Sequence, residues 1–399
     1  MLDIWPALPL IISCSCFYYT TSSVDNIVPA LKCSNRVCRI YLMISVKSTW
    51  ERLLALMQQP FPELTSLDLH SQIDETVVVP ESFLGGFAPR LESLDPSNIP
   101  FPGLPKLLLS ATHLVGLCLS DIPHSEYFSP DAITAALSTL TSLGQLTLEF
   151  KSPESSPDLE TRHLPPSTRS ILPVLTSFQF KGVTEYLEDL LTDIDAPQLN
   201  KMWVHFFNDS VFDTPQLIRC IGRTPMSSAL ETAHIALNAG VTCISFRPQV
   251  HDHVELEVAI LCKGLDWQLS SLEQVCTSCL PFLPTFGDLY INEVAHSEPD
   301  WKDNIGNRLW LELLRPFTAM KNFYLSEKIA LRIGPALREH VEGITTEMLP
   351  TLENVFLEGL GPSGHVQEGI GHFVATQQVV GHRIAISRWA DPKKGGFYW

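Results

Sequence analysis

The chain is poor in basic side chains. Its 399 residues contain 27 Lys and Arg against 44 Asp and Glu, which gives a formal net charge of −17. Proteins bind nucleic acids and anionic membrane surfaces through clustered Lys and Arg, and no block of basic residues occurs in this sequence. We therefore expect neither a nucleic-acid partner nor a membrane partner.

Long uninterrupted apolar runs are also missing, although 45% of the residues are hydrophobic. The apolar start MLDIWPALPLIISCSCFYYT lacks the positive residues of a secretory signal, and Pro6 and Pro9 would interrupt its helix. This start is typical of a strand that enters a fold. The ten cysteines do not form a dense disulfide framework, so we expect reduced thiols in the cytoplasm or nucleus and no secretion.

Recognisable catalytic motifs are absent too. The sequence has no GxSxG elbow, no HExxH pair, no phosphate-binding loop lysine and no EF-hand loop. Its carboxylates are scattered and form no visible acid–base pair. We therefore predict that the protein is not an enzyme and uses no cofactor.

Three groups of residues raise the question of a metal ion. Cys276 and Cys279 lie on an apolar helical pattern without a second ligand pair, which favours core packing over zinc binding. His251 and His253 flank Asp252, and we favour a solvated strand edge there over a two-histidine site. The third group is a loose cysteine cluster of Cys14, Cys16, Cys33 and Cys38. We predict no metal site at any of them.

The sequence does contain a repeated pattern, apolar-x-x-apolar-x-apolar. Successive copies start 23 to 34 residues apart, with one wider step of 56 residues. The copies begin at Val37, Leu64, Leu91, Leu114, Leu143, Leu175, Leu199, Leu230, Phe286, Met320 and Leu352. The fourth and sixth positions share one face of a short strand, as in a leucine-rich repeat. We interpret the wide step as two repeats, one of which has lost its signature and is filled by VTCISF or HVELEVAI.

Helix-like segments separate these strands. In Ser48–Gln59 we expect Ser48 to cap the helix with Glu51 as its partner, and in Ser129–Leu140 the Ser-Pro pair marks a helix start. We predict an α/β leucine-rich-repeat solenoid, a horseshoe with parallel strands on the concave face and helices on the convex face. It would form a single irregular domain over residues 1–399, with about 11–12 repeats.

One turn imitates a dinucleotide-binding fingerprint. Gly359, Gly361 and Gly364 spell GxGxxG between a strand-like and a helix-like run. Pro362 removes one of the backbone N–H groups that such a turn offers to a phosphate, and the preceding strand already belongs to the repeat series. We interpret the glycines as a turn of the last full repeat. A nucleotide-binding enzyme that uses this turn is the minor alternative.

Side chains between the inward apolar positions are expected on the concave face, and their aromatic members concentrate in the second half of the chain. Solenoids bind other proteins on such faces, and aromatic anchors among polar residues are typical of interface hot spots. Cross-strand packing of the rings without a partner is the alternative. The predicted surface, for an unknown protein partner, comprises Trp203, His205, Tyr290, Asn292, Asn322, Tyr324, Phe356 and Glu358.

Several phrases resemble the repeat region of basidiomycete F-box/leucine-rich-repeat proteins, among them WPALPLII, PFPELTSLDL and LEGLGPSGHVQEGIGHFVA. The resemblance covers nearly the whole chain. It implies a fungal protein whose repeats select the substrate of a cullin–RING ubiquitin ligase, while an N-terminal F-box recruits the Skp adaptor. The F-box is absent from this sequence, so the adaptor is expected only if an F-box exists upstream. The alternative is a free-standing interaction scaffold with no ubiquitin role.

Overall fold

The structure, a computed structural model, describes residues 8–16, 21–73, 77–126, 128–154, 169–207, 212–228, 230–248, 256–262, 264–293, 306–343, 348–358 and 368–389. Its strands are β1 (Leu10–Cys16), β2 (Val37–Ile44), β3 (Ser66–Ser71), β4 (Ser93–Ser97), β5 (Gly116–Ile122), β6 (Gln145–Phe150), β7 (Ser170–Ile171), β8 (Ser177–Gly182), β9 (Ile194–Asp195), β10 (Lys201–Phe207), β11 (Thr232–Leu237), β12 (Thr242–Arg247), β13 (Leu256–Leu261), β14 (Asp288–Glu293), β15 (Asn322–Leu325), β16 (Asn354–Glu358) and β17 (Ala385–Trp389). Its helices are α1 (Thr21–Leu31), α2 (Lys47–Leu56), α3 (Leu104–Ser110), α4 (Pro130–Leu137), α5 (Thr184–Asp193), α6 (Pro215–Arg223), α7 (Leu265–Ser278), α8 (Asn307–Leu314), α9 (Glu327–Gly343) and α10 (Glu368–Val379).

The chain divides into two compact units. Unit 1 contains Met1–Met202 and Gly222–Pro225, and unit 2 contains Trp203–Ile221 and Met226–Trp399. The prediction of a single domain over residues 1–399 stays a prediction.

In unit 1 the strands β1 to β6 and β8 pair side by side in chain order, and every pair is parallel. The register aligns the fourth position of each repeat, so that buried apolar side chains stack across the strands. The aligned residues are Leu67, Leu94, Leu117, Leu146 and Phe178. Helices α1 to α4 lie between these strands in the chain, and α5 follows β8. They bury apolar residues such as Leu53 and Leu187 in the same core.

Unit 2 repeats this arrangement at its C-terminal end. Strands β11, β14, β15, β16 and β17 pair in parallel. Leu289, Phe323 and Val355 occupy the fourth position in register and are 2% exposed or less. Helices α7, α8, α9 and α10 pack successively against one another.

The interpretation of the wide step as two parallel repeats is wrong. Residues of VTCISF lie in β12 and the described residues of HVELEVAI lie in β13, but β12 is antiparallel to both β11 and β13. Only Asn238–Val241 separate β11 from β12, which is too short for a parallel crossover and suits a hairpin. The backbone N–H of Asn238 donates to the carbonyl of Val241 at 3.0 Å and closes this turn.

The two predicted helix starts have different outcomes. Ser129 caps α4, because its hydroxyl accepts from the backbone N–H of Ala132 at 3.3 Å. The cap predicted at Ser48 is wrong, since α2 is preceded by Val46 in the cap position and has no side-chain cap. The indole of Trp50 donates to the carbonyl of Ile44 at 3.2 Å and fixes the entry to α2 instead.

The α/β class is confirmed. In each unit helices alternate with strands, the pairing is mostly parallel, and the stacked fourth positions agree with a repeat solenoid. The predicted strand near the start of the chain is confirmed as β1, which pairs in parallel with β2. Within the described residues, no helix combines the length and the apolar character that a membrane crossing requires.

Candidate functional site

Four stacked rings cross unit 2 on the strand face that points away from Leu289 and Phe323. His234, Tyr290, Tyr324 and Phe356 occupy one register position on β11, β14, β15 and β16. Their successive ring centroids are 4.3, 4.0 and 4.4 Å apart, with interplanar angles of 5°, 8° and 7°. Neighbouring strands are about 4.8 Å apart, so in-register rings stack face to face. We call these four residues the ring row.

Trp389 packs against the ring row from β17. Its indole lies 5.8 Å from the ring centroid of Tyr290 and 5.7 Å from that of Tyr324, at angles of 60° and 68°. Ring pairs of this kind are favourable edge-to-face contacts. All three side chains remain half-buried, so part of each stays open to solvent.

A chain of amide hydrogen bonds runs beside the ring row. Asn354 donates from Nδ2 to Oδ1 of Asn322 at 2.8 Å, and Asn322 donates from Nδ2 to Oδ1 of Asp288 at 2.6 Å. These three side chains share a register position on β16, β15 and β14. We call them the amide chain. Both hydrogen bonds point towards the Asp288 carboxylate, which has no ion-pair partner among the described residues.

Burial raises the pKa of Tyr324 above the usual tyrosine range. A hydrogen bond between the side chains of Tyr324 and Tyr290 opposes this rise, and the charge of Asp288 adds to it. The hydroxyl of Tyr324 is therefore neutral at neutral pH and available for hydrogen bonding.

Two other predicted residues lie on the same face at the opposite side of the ring row. Asn292 follows Tyr290 by two residues on β14, and Glu358 follows Phe356 by two residues on β16. The Oδ1 atom of Asn292 is shielded from solvent and has no hydrogen-bond partner among the described residues. The structure thus brings together Tyr290, Asn292, Asn322, Tyr324, Phe356 and Glu358.

Trp203 and His205 lie on β10, apart from the ring row. Strands β13, β12 and β11 separate β10 from β14 in the sheet order. His205 contacts the buried carboxylate of Glu257 on β13, with Nε2 and Oε1 3.1 Å apart. A role for Trp203 and His205 in partner binding stays a prediction.

Sequence reasoning missed two residues of this surface, His234 and Trp389. His234 is the fifth residue of the repeat LETAHI, the position that Tyr290 and Tyr324 occupy in their own repeats. That position was a usable signal. Trp389 had no comparable signal. Its strand β17 pairs with β16, whereas its indole contacts rings on β14 and β15, and that contact depends on how β17 is placed.

Within the described residues, the other motifs of the sequence give no second site. Cys276 and Cys279 are buried at the C-terminal end of α7. Burial raises the pKa of the Cys276 thiol. The hydroxyl of Thr214 donates to Sγ of Cys279 at 2.7 Å. The core packing predicted for this pair is confirmed. In the described part of the chain, no group of three His, Cys, Asp or Glu could hold a metal ion. Gly359, Gly361, Gly364, His251 and His253 lie outside the described residues.

Comparison with known proteins adds no assignment. No protein-family model matches the chain, and no curated protein matches it.

Proposed function

We propose that the chain is a non-enzymatic protein-binding leucine-rich-repeat module and that the ring row with Trp389 is its binding surface. One observation carries this proposal. Four rings on four neighbouring strands form a continuous, half-exposed aromatic surface on the strand face. Aromatic residues dominate the energetics of protein interfaces because each covers a large area with few rotatable bonds.

The surface is held in place before any partner arrives. Each inner ring is fixed by stacked neighbours on both sides, and the amide chain fixes the adjacent polar side chains. A surface that is already ordered loses little side-chain entropy on binding, so more of its contact energy appears as affinity. Packing between rings and partner binding are therefore compatible in this arrangement.

Affinity capture from an extract of the source organism tests the proposal. The wild-type chain, a Tyr290→Ala/Tyr324→Ala variant and a Trp389→Ala variant would be immobilised, with Cys118→Ala on unit 1 as a matched control. We expect at least one partner that the control retains and both ring variants lose. Retention of every partner by Trp389→Ala and by a folded double variant would overturn the proposal. Circular dichroism shows whether the double variant is folded.

We also propose that the captured partner is a substrate of a cullin–RING ubiquitin ligase and that the protein works in the cytoplasm or nucleus. The resemblance to F-box/leucine-rich-repeat proteins supports the first part. The ten cysteines, whose spacing forms no dense disulfide framework, support the second. Co-purification of the product of the complete gene with the Skp adaptor tests the ligase role. A complete product that binds partners without the adaptor would be a free-standing scaffold.

The absence of enzymatic activity needs its own test. If Gly359, Gly361 and Gly364 serve as a repeat turn and not as a nucleotide site, calorimetric titration with NAD and with ATP shows no saturable binding. Saturable binding of either nucleotide would contradict a purely protein-binding role.

A further inference from the structure

We infer that the surface beside the ring row recognises an arginine side chain of the protein partner, with Asp288 as its anchor. This inference rests on the proposed function and adds the chemistry of the partner to it. It follows from the state of the Asp288 carboxylate, the scarcity of hydrogen-bond donors around it and the flat rings next to it.

Asp288 is a fixed anion without a counter-charge. Asn322 holds one carboxylate oxygen through a hydrogen bond of 2.6 Å, and Asn354 orients the amide of Asn322 in turn. Two aligned amide dipoles therefore end on this carboxylate and fix its position. No Lys, Arg or His among the described residues forms an ion pair with it. A half-buried charge of this kind is stabilised when a partner supplies the opposite charge.

The carboxylate of Asp288 offers acceptor atoms only, and the amide chain leaves few donors beside it. Each amide of the amide chain has already used one of its N–H groups within the chain. A guanidinium group carries five N–H donors and no acceptor, so it complements this set better than an amide or a hydroxyl does.

The neighbouring rings favour arginine over lysine. The planar guanidinium stacks on aromatic rings and binds a carboxylate through two parallel hydrogen bonds, whereas the lysine ammonium is a strongly hydrated point charge. The tyrosine and indole rings of Tyr290, Tyr324 and Trp389 lie on the face that Asp288 shares. The net charge of −17 would also speed the approach of a basic segment.

Selection from random 12-residue peptides displayed on phage tests this inference. The wild-type chain serves as bait, and a Tyr290→Ala/Tyr324→Ala variant removes peptides that bind elsewhere. Selected peptides are synthesised with arginine, lysine or neutral citrulline at the enriched position, and their dissociation constants are measured by fluorescence anisotropy. We expect enrichment of arginine and an affinity loss of about tenfold or more on replacement by citrulline.

Two protein variants separate a specific anchor from general attraction by an acidic protein. Asp288→Asn and Glu353→Gln remove the same charge, but Glu353 is exposed and outside the surface that contains the rings. We expect about a tenfold loss for the arginine peptide with Asp288→Asn and less than a twofold change with Glu353→Gln. Equal losses in the two variants would overturn the inference.

The possible failures are distinguishable. Ring-dependent peptides without arginine enrichment would overturn the arginine inference and leave the proposed binding surface intact. If no selected peptide depends on the rings and no partner in the capture experiment does so either, both proposals fail.

Discussion

The strand faces of the two units differ although their cores follow one pattern. In unit 1 the fifth repeat positions carry one aromatic ring and five smaller or polar side chains, Tyr41, Asp68, Asp95, Cys118, Thr147 and Gln179. In unit 2 they carry rings throughout, Trp203, His234, Tyr290, Tyr324 and Phe356. The inward fourth positions are buried and apolar in both units. The core of a repeat therefore constrains the fourth position and leaves the fifth free to vary.

The chemistry of the two faces follows from this freedom. In unit 2 the in-register rings attract one another and form the ring row. In unit 1 neighbouring carboxylates repel, and burial, followed by the charge of Asp95, raises the pKa of Asp68. Cys118 behaves similarly, because burial raises the pKa of its thiol to about 11. We interpret the unit 2 face as the ordered binding surface and the unit 1 face as a small, acidic one.

The largest expected effect comes from disrupting the contact between α9 and α10, the helices that support the unit 2 face. Gly369 of α10 lies so close to Gly334 of α9 that an added Cβ would be 2.9 Å from the Gly334 Cα. We expect Gly369→Ala to lower the free energy of unfolding by about 3 kcal/mol, through overpacking at the helix crossing.

Gly334→Ala is the matched control for that change. A Cβ there would meet only ordinary contacts of 3.7 Å, and alanine gains about 1 kcal/mol of helix propensity over glycine. Hydrogen exchange should show lost protection in α9 and α10 for Gly369→Ala only. Similar stability of the two variants would contradict the close crossing.

The next effect compares the two faces directly. Tyr324→Leu removes two stacking contacts and an edge contact with Trp389, so we expect a loss of about 2 kcal/mol. Cys118→Ala changes the same repeat position in unit 1 and should cost about 0.5 kcal/mol or less. Chemical denaturation of both variants measures the difference. Equal costs would show that the ring row adds no stability.

The amide chain gives a smaller effect. Asn322→Ala removes one hydrogen bond to Asp288 and one from Asn354, which we expect to cost about 1 to 1.5 kcal/mol. Ser93→Ala occupies the corresponding third position in unit 1 and should be nearly neutral. A thermal melt of each variant provides the comparison, and a neutral Asn322→Ala would argue against a structural role for the amide chain.

The smallest effect concerns pH and the unit 1 face. Because the pKa of Asp68 is raised in the folded chain, the folded state binds this proton more tightly than the unfolded state does. The stability contributed by Asp68 therefore falls as pH rises from below the usual aspartate range through its raised pKa. The charges of His70 and Arg39 oppose this shift, and that of Asp95 adds to it.

We accordingly expect Asp68→Asn to melt slightly above the wild type at about pH 7 and level with it at about pH 3, where the aspartate is protonated in both states. The exposed Glu353→Gln serves as the charge-matched control. A difference that persists at low pH would mean that the substitution acts through packing and not through protonation.

The sequence supported much of this fold because the inward positions repeat at nearly constant spacing. The pattern placed β14, β15 and β16 and identified Tyr290, Tyr324 and Phe356 as neighbours on one face. The same repeat position holds His234, which the predicted surface did not include. The sequence pattern did not predict the antiparallel β11–β12–β13 arrangement, because a four-residue turn and a repeat without its signature leave similar gaps in an apolar pattern.

The sequence by itself determined the α/β class, the inward apolar residues and the face on which the aromatic side chains lie. These features depend on alternation along a single strand, which is a local property. Only the tertiary structure decided that the rings stack, that Asn322 and Asn354 orient Asp288, and that Trp389 contacts Tyr290 and Tyr324. Those contacts join residues more than 30 positions apart, and their geometry is set by the register between strands, which no single repeat contains.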